Sequence, residues 1–291
     1  MLIDLQVHST YSDGYLTPTE VAGFLANQGV KVAALTDHNT VGGIEEFQKA
    51  CKKYRIKPIV GIELYTKLNH KHFNLLWFNF DHADPELHDI LRNSQARRRS
   101  RARKILESMV ASGFKIDINK VLDKYNHYVS INHLIDDIWA VPHNRQKIKA
   151  DMNNKKPREE EIIRYYFYNP RLPKFDNSYI NIKRIFALRK KIGGQIIFNH
   201  PGKYNQLKQP IIQDLKAMGI DGIEVLSPHH SIGAMMYAQF MAEEHGLIMT
   251  GGSDFHRFEC DSPSSITSSW NYFKIDGQYL RGVEKIINKQ T

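Results

Sequence analysis

The side chains of this chain that could do chemistry sit at the ends of short apolar runs. His8 follows Leu2-Ile3-Asp4-Leu5 by a few residues, Asp37 and His38 follow Ala34-Leu35-Thr36, and Glu63 follows Val60-Gly61-Ile62. His72 begins the run that continues to Phe78, and His200 follows Ile196-Ile197-Phe198-Asn199. Glu224 lies in Gly222-Ile223-Glu224-Val225, and Asp254 and His256 come just after Leu247-Ile248-Met249-Thr250. Imidazole and carboxylate together suit borderline divalent ions such as Zn, Fe or Mn, and a carboxylate can bridge two of them. There is no Cys-x-x-Cys pair, which argues against a thiolate zinc knuckle. Beside a basic surface, clustered ions point to hydrolysis of a phosphate ester, since they polarise phosphoryl oxygens and supply hydroxide at neutral pH. Taken singly, each residue has a plainer use. A histidine after a strand is often a hydrogen-bonded structural residue, and Asp37 is a good cap for the helix that follows it. The shared placement is the argument for a site.

That placement has meaning only if strands alternate with helices. The pattern predicts strands at 2–5, 30–35, 58–61 and 73–78, with helices at 18–28 and 43–54 between the first three. Thr17 is the N-cap of the first helix, Pro18 its first residue and Gly29 its stop. The same alternation returns with helices at 182–192, 210–218 and 234–245 and strands at 195–198, 220–226 and 247–250. Strands separated by helices of this length make a parallel sheet, and in a parallel α/β barrel all strand C-termini open on one face, where active sites are built. Residues 89–190 break the pattern. They hold a long Arg-rich helical segment at 89–112 and then a polar, aromatic, Asn- and Lys-rich stretch, which reads as a mostly helical insertion between barrel halves at 1–88 and 191–291.

The 291 residues suffice for a large core without covalent staples. Apolar residues at 42% and charged residues at 24% are ordinary globular usage and exclude disorder. No apolar run reaches the ~18–20 residues of a membrane span, and the N-terminus lacks the basic region of a signal peptide. Cys51 and Cys260 alone make no disulfide framework, so a reduced, cytoplasmic setting is expected. The balance of 40 Lys+Arg against 31 Asp+Glu, a net +9, suits an anionic partner such as a phosphate or nucleic acid, though it also serves solubility.

The motifs Asp4-Leu5-Gln6-Val7-His8-Ser9-Thr10, Ser12-Asp13-Gly14, Thr36-Asp37-His38-Asn39, Gly61-Ile62-Glu63, His200-Pro201-Gly202 and Gly252-Ser253-Asp254-Phe255-His256 resemble those of the PHP (polymerase and histidinol phosphatase) family, in its stand-alone phosphoesterase branch. The resemblance implies a distorted (β/α)7 barrel with two or three divalent ions, Mn, Fe or Zn. It places one ion on His8, Glu63 and Asp254, a second on Glu63, His72 and His200, and a third on Asp13, His38 and His256. It assigns catalysis to Asp37, His38, Glu63 and Asp254, with Asp37 orienting His38 or a neighbour. Gln6 departs from the His-x-His with which the family usually opens, and a neutral amide oxygen is a weaker ligand than imidazole. Ile131-Asn132-His133 stands where relatives often carry Arg-Pro-His, removing a phosphate-gripping arginine.

For substrate contacts the candidates are Lys203, His230 and Arg98, while His229 is read as incidental. The 97–103 arginines put a basic stripe on one helix face that is either solvated or used by a nucleic-acid backbone. Tyr165, Tyr166, Phe167 and Tyr168 are read as core of the insertion rather than as a base-stacking platform. The expected substrate is a nucleotide 3′,5′-bisphosphate or a short 5′-phosphorylated RNA. A histidinol-phosphate phosphatase, or an impaired barrel that binds nucleic acid or a protein, are the alternatives.

Overall fold

The computed structural model describes residues 1–68, 71–168, 178–203, 205–257 and 272–289; Cys260 lies outside them. The chain divides into two compact units, Met1–His88 with Ile180–Thr291, and Asp89–Tyr179. In the first unit, seven strands form the wall: β1 (Leu2–Val7), β2 (Val32–Leu35), β3 (Lys57–Leu68), β4 (Lys71–Phe78), β6 (Gln195–Phe198), β7 (Gly222–Leu226) and β8 (Ile248–Gly251), hydrogen-bonded in the order β8-β7-β6-β4-β3-β2-β1. The backbone nearly closes the ring. The Asp254 N–H donates to the Gln6 carbonyl at 3.0 Å, and the His8 N–H donates to the Phe255 carbonyl at 3.0 Å. Two further short strands, β5 (Ile180–Asn181) on β3 and β9 (Ile275–Asp276) on β1, sit outside this wall.

Local chemistry explains the elements. Helix α1 (Pro18–Asn27) starts with a full capping box, Thr17 accepting from the Glu20 N–H while Glu20 accepts from Thr17, and Gly29 leaves it at φ 84°. Helix α2 (Ile44–Tyr54) buries Phe47, Ala50 and Cys51 against α1 and β2, with Ile44 buried at the same helical spacing. Burial pushes the Cys51 thiol up to about 12. Cys51 is therefore expected to resist iodoacetamide at pH 8 until the chain unfolds, and alkylation in the native protein, read by peptide mass mapping, would contradict this.

One strand departs from the parallel expectation. β4 runs antiparallel to both β3 and β6. Only two residues separate β3 from β4, and a parallel pair needs a crossover of a dozen or more. The reversal matters for the site, because β4 presents its N-terminal half to the face where its neighbours end.

The second unit contains most of the long helix α3 (Pro85–Ala111) with α4 (Ile118–Lys124), α5 (Ile131–Ala140), α6 (Pro142–Asp151) and α7 (Glu159–Tyr166). Its core joins Ile105, Leu106, Leu134, Ile138 and Ile148, and it takes in Tyr166 and Phe167, whereas Tyr165 and Tyr168 are exposed. Helix α8 (Ile182–Ile192) falls in the first unit, so the insertion proper is shorter than the sequence pattern suggests.

Candidate metal centre

The ends of β1, β2, β6 and β8, the loop that carries Asp13 and the middle of β3, where Glu63 lies within a strand longer than the sequence pattern suggests, bring the ligating groups together. His8, fully buried after β1, points its two ring nitrogens in different directions: Nε2 lies 3.2 Å from Glu63 Oε2 and 3.1 Å from Asp254 Oδ1, and Nδ1 lies 3.7 Å from Asp13 Oδ1. Asp13 also approaches His38 Nε2 at 3.3 Å and His256 Nε2 at 3.2 Å. The His8 and His256 rings stack at 4.1 Å. His8, Asp13, His38 and His256 form one group whose ligand atoms all lie within 4.8 Å of one another, and His8, Glu63 and Asp254 form a second. His200 Nε2 stands 3.4 Å from the other Glu63 oxygen.

The backbone is bent to do this. Asn39, His200 and Asp254 have φ of 49°, 22° and 50°, in the left-handed region, where side chains are held only if the surroundings over-determine them. Asn39 is secured by its N–H to the Glu63 carbonyl at 2.9 Å and by its Oδ1, which accepts from the Tyr65 N–H at 3.0 Å. Gly14 has no alternative: a Cβ there would stand 2.5 Å from the carbonyl carbon and oxygen of His8.

Two buried carboxylates shape the loops from behind. Asp37 does not point at the cluster. It accepts from the Ser9 N–H (2.7 Å), Ser9 Oγ (2.7 Å) and Ser12 Oγ (2.6 Å), so it holds the turn that carries Asp13. Asp4 plays the matching part, accepting from the Ser253 N–H (2.9 Å), Ser253 Oγ (2.6 Å) and Tyr272 hydroxyl (2.6 Å) beside Asp254; burial pushes its carboxyl up to about 6. The alternating pattern of β1 marks Asp4 as inward-facing or buried, but nothing in it separates a loop-shaping acid from a core one.

Several expected site residues sit elsewhere. His72 lies opposite Lys67, four residues along β3 from Glu63, about 13 Å at the usual strand rise. The group on β4 that reaches Glu63 is Asn74, whose Nδ2 donates to Oε1 at 2.9 Å. His230 is engaged by backbone on both nitrogens: Nδ1–H donates to the Val225 carbonyl at 3.0 Å, and Nε2 accepts from the Gly202 N–H at 3.1 Å. Burial lowers its pKa, so it is a neutral clamp on the 200–203 turn. Its neighbour His229 is the one at the cluster, Nε2 2.6 Å from Asp254 Oδ2. Lys203 Nζ is 3.3 Å from the same oxygen and 3.2 Å from His229. Arg98 spends its guanidinium inside the second unit: it is 7% exposed, donates to the Val129 carbonyl at 2.6 Å and lies over the Tyr128 ring at 4.3 Å. Tyr65, which the sequence does not single out, meets His38 Nε2 through its hydroxyl at 3.0 Å.

The electrostatics fit cation binding. Burial opposes ionisation of Asp13, Glu63 and Asp254, yet the surrounding imidazoles, with Lys203 beside Asp254, hold all three well below the usual carboxylate range. Burial likewise opposes a charged His8, but the Asp254 and Glu63 carboxylates outweigh it and keep the ring well above the ordinary imidazole value; His256 is raised beside Asp13 in the same way. Glu224 goes the other way: burial, then repulsion from Asp254 and Glu63, pushes its carboxyl well above the usual carboxylate range. Both His8 nitrogens are buried and meet no partner in hydrogen-bond geometry, so neither is committed to a structural hydrogen bond that a ligand would have to break. The donor set of His8, Asp13, His38 and His256 therefore fits a divalent ion. Rings that carry protons without metal must release them on loading, so ion uptake should release protons and the apparent affinity should strengthen as pH rises. Calorimetry of Mn²⁺ binding in two buffers of different protonation enthalpy measures this, and identical heats would show that the rings were already neutral.

Comparison with known proteins agrees with this geometry. The family profile described as PHP domain matches residues 4–222. A 5′-3′ exoribonuclease of Haemophilus influenzae is 29% identical over 88% of this chain and 90% of its own length. A 3′,5′-nucleoside bisphosphate phosphatase of Chromobacterium violaceum is 29% identical over 87% of each. A solved structure from Bifidobacterium adolescentis, proposed to be a metal-dependent phosphoesterase, superposes with a TM-score of 0.74 over 99% of this chain and 96% of that one at 22% identity, which speaks to the fold. A nearly closed seven-strand wall, histidines and carboxylates at its strand ends, and a profile spanning most of the sequence identify the chain as a member of the PHP domain family.

Proposed function

We propose that the protein is a metal-dependent phosphoesterase whose substrate is a nucleoside 3′,5′-bisphosphate or the 5′ end of a short RNA. The observation that carries the reading is the convergence of Asp13, His38 and His256 with His8 on one face, next to an ammonium on Lys203. Mn, Fe or Zn suits this mixed imidazole and carboxylate set, and the family resemblance implies two or three ions. A bound divalent ion would supply Lewis acidity towards a phosphoryl oxygen and lower the pKa of a water molecule. The chain's own residues do the rest. Asp37 and Asp4 hold the two ligand loops in register, so the site does not have to reorganise as charge develops. Lys203, beside His229 at 3.2 Å, would meet a phosphate oxygen as a point charge, and His229 Nε2 would hold a proton for the leaving oxygen.

Charge supports an anionic substrate. Of the chain's excess of positive residues, nearly all falls in the second unit, where 19 Lys+Arg stand against 11 Asp+Glu in residues 89–179. Relatives named for nucleotide and RNA substrates point the same way.

The test is release of inorganic phosphate from adenosine 3′,5′-bisphosphate, a 5′-phosphorylated oligoribonucleotide, histidinol phosphate and an aryl phosphate, each with Mn²⁺ and with a chelator. Chelator-sensitive turnover of either nucleotide substrate is expected. Turnover of histidinol phosphate alone would replace the substrate assignment. Silence of the Mn²⁺-loaded protein on all four would favour a barrel that only binds.

A further inference from the structure

The two ligand groups are not equivalent. In the second group, Glu63 Oε2 and Asp254 Oδ1 are the two oxygens nearest His8 Nε2. Gln6 Nε2 donates to these same two oxygens, at 3.1 and 2.9 Å. The remaining Glu63 oxygen accepts from Asn74 Nδ2, and the remaining Asp254 oxygen faces Lys203 and His229. Every carboxylate oxygen of this group is thus met by N–H hydrogens, and an amide NH₂ presents positive charge and no lone pair to a cation. Gln6 is fully buried, and its Oε1 has no partner, turned away from the carboxylates. Turning the amide over would set that oxygen against two carboxylates, which is repulsive unless a cation is already between them.

In the first group, among the described residues, no amide NH₂ meets the Asp13 carboxylate, whose oxygens face the His38 and His256 rings and accept from the Ser12 hydroxyl at 3.2 Å.

We propose that Gln6 and Asn74 take the place of a metal ion, satisfying the oxygens of the Glu63 and Asp254 carboxylates by hydrogen bonds, so that this chain is a one-ion enzyme whose ion is held by Asp13, His38, His256 and His8. The inference rests on the metal-dependent reading above but not on any substrate, and it departs from the count of two or three ions. Glu63 then serves as a buried anion that orients His8, His38 and His200, and not as a bridge.

Mn²⁺ is the probe. Metal-free protein is dialysed against Mn²⁺ and its content measured by elemental analysis, with electron paramagnetic resonance to separate isolated ions from pairs about 3.5–4 Å apart. The wild-type chain should hold one equivalent with the spectrum of an isolated ion. Asp13→Ala should hold none. Gln6→His with Asn74→His, which exchanges both amides for imidazole lone pairs, should rise to two equivalents with a spin-coupled signal. Two or more ions in the wild-type chain, with coupling, would overturn the proposal by showing that the amide of Gln6 turns over to ligate, and would leave the phosphoesterase reading intact. Retention of the single ion by Asp13→Ala would also overturn it, by placing that ion in the Glu63 group. Failure to bind any Mn²⁺ would overturn both readings. Should the double histidine variant not fold, as judged by circular dichroism, the wild-type count and the Asp13→Ala count decide the matter by themselves.

Discussion

His38→Ala is expected to lower phosphate release by about a thousandfold or more, because a Lewis-acid contribution of several kcal/mol is lost at ~1.4 kcal/mol per factor of ten. His38 occupies a position that no neighbour can fill. Its Nε2 faces Asp13 at 3.3 Å, its Nδ1 faces Glu63 at 3.6 Å, and its ring stacks on Tyr65 at 4.4 Å. Truncation to Ala removes one ligand from the group of four and leaves the Asp13 carboxylate short of one of its three imidazole partners. The loss should fall on kcat more than on KM, since Lys203, the proposed phosphate contact, is untouched. Phosphate release and Mn²⁺ content are measured together. Full activity with full metal content would remove His38 from the site and with it the present assignment of the ion.

Asp37→Ala should be the most destabilising single change near the site. It strips the acceptor from three buried donors, Ser9 N–H, Ser9 Oγ and Ser12 Oγ. A buried donor left unmet costs about 1–3 kcal/mol, so a total of roughly 3–5 kcal/mol is expected once the two hydroxyls partly re-pair. That is a large share of the stability of an ordinary domain. The freed turn carries Asp13, so Mn²⁺ affinity should also fall, by about 10- to 100-fold as for other groups that orient a ligand. Asp37→Asn keeps one acceptor oxygen and should recover most of both effects. Urea unfolding and Mn²⁺ titration of the two variants check this. Loss of activity without loss of stability would instead mark Asp37 as a group that acts on substrate.

Much of the molecule was legible in the residues. Thr17, Pro18 and Gly29 bound α1 because caps and stops are local chemistry. His8, His38, His200, Asp254 and His256 converge because apolar runs locate strands, and in an α/β barrel the strand ends share a face, which Glu63 joins from the middle of β3. The break in texture near 89 is likewise a local change from alternating strands and helices to helices alone. These features depend on neighbours a few positions away in the chain, and periodicity is able to report them.

Other features depended on pairing across long sequence distances, which periodicity does not contain. His72 and Asn74 lie on the same face of β4, and only the antiparallel register, Tyr65 against Asn74 and Lys67 against His72, decides which of them reaches Glu63. His229 and His230 are adjacent in sequence, and the turn after β7 sends one to Asp254 and the other to the backbone of Gly202. Arg98 belongs to a basic run, yet packing on Tyr128 turns it inward. Sequence alone therefore determined which residue types gather at the strand ends and what chemistry they suit. Tertiary structure decided which atoms face one another, because a carboxylate that meets an amide hydrogen and one that meets a lone pair are the same residue in the sequence and opposite environments for a metal ion.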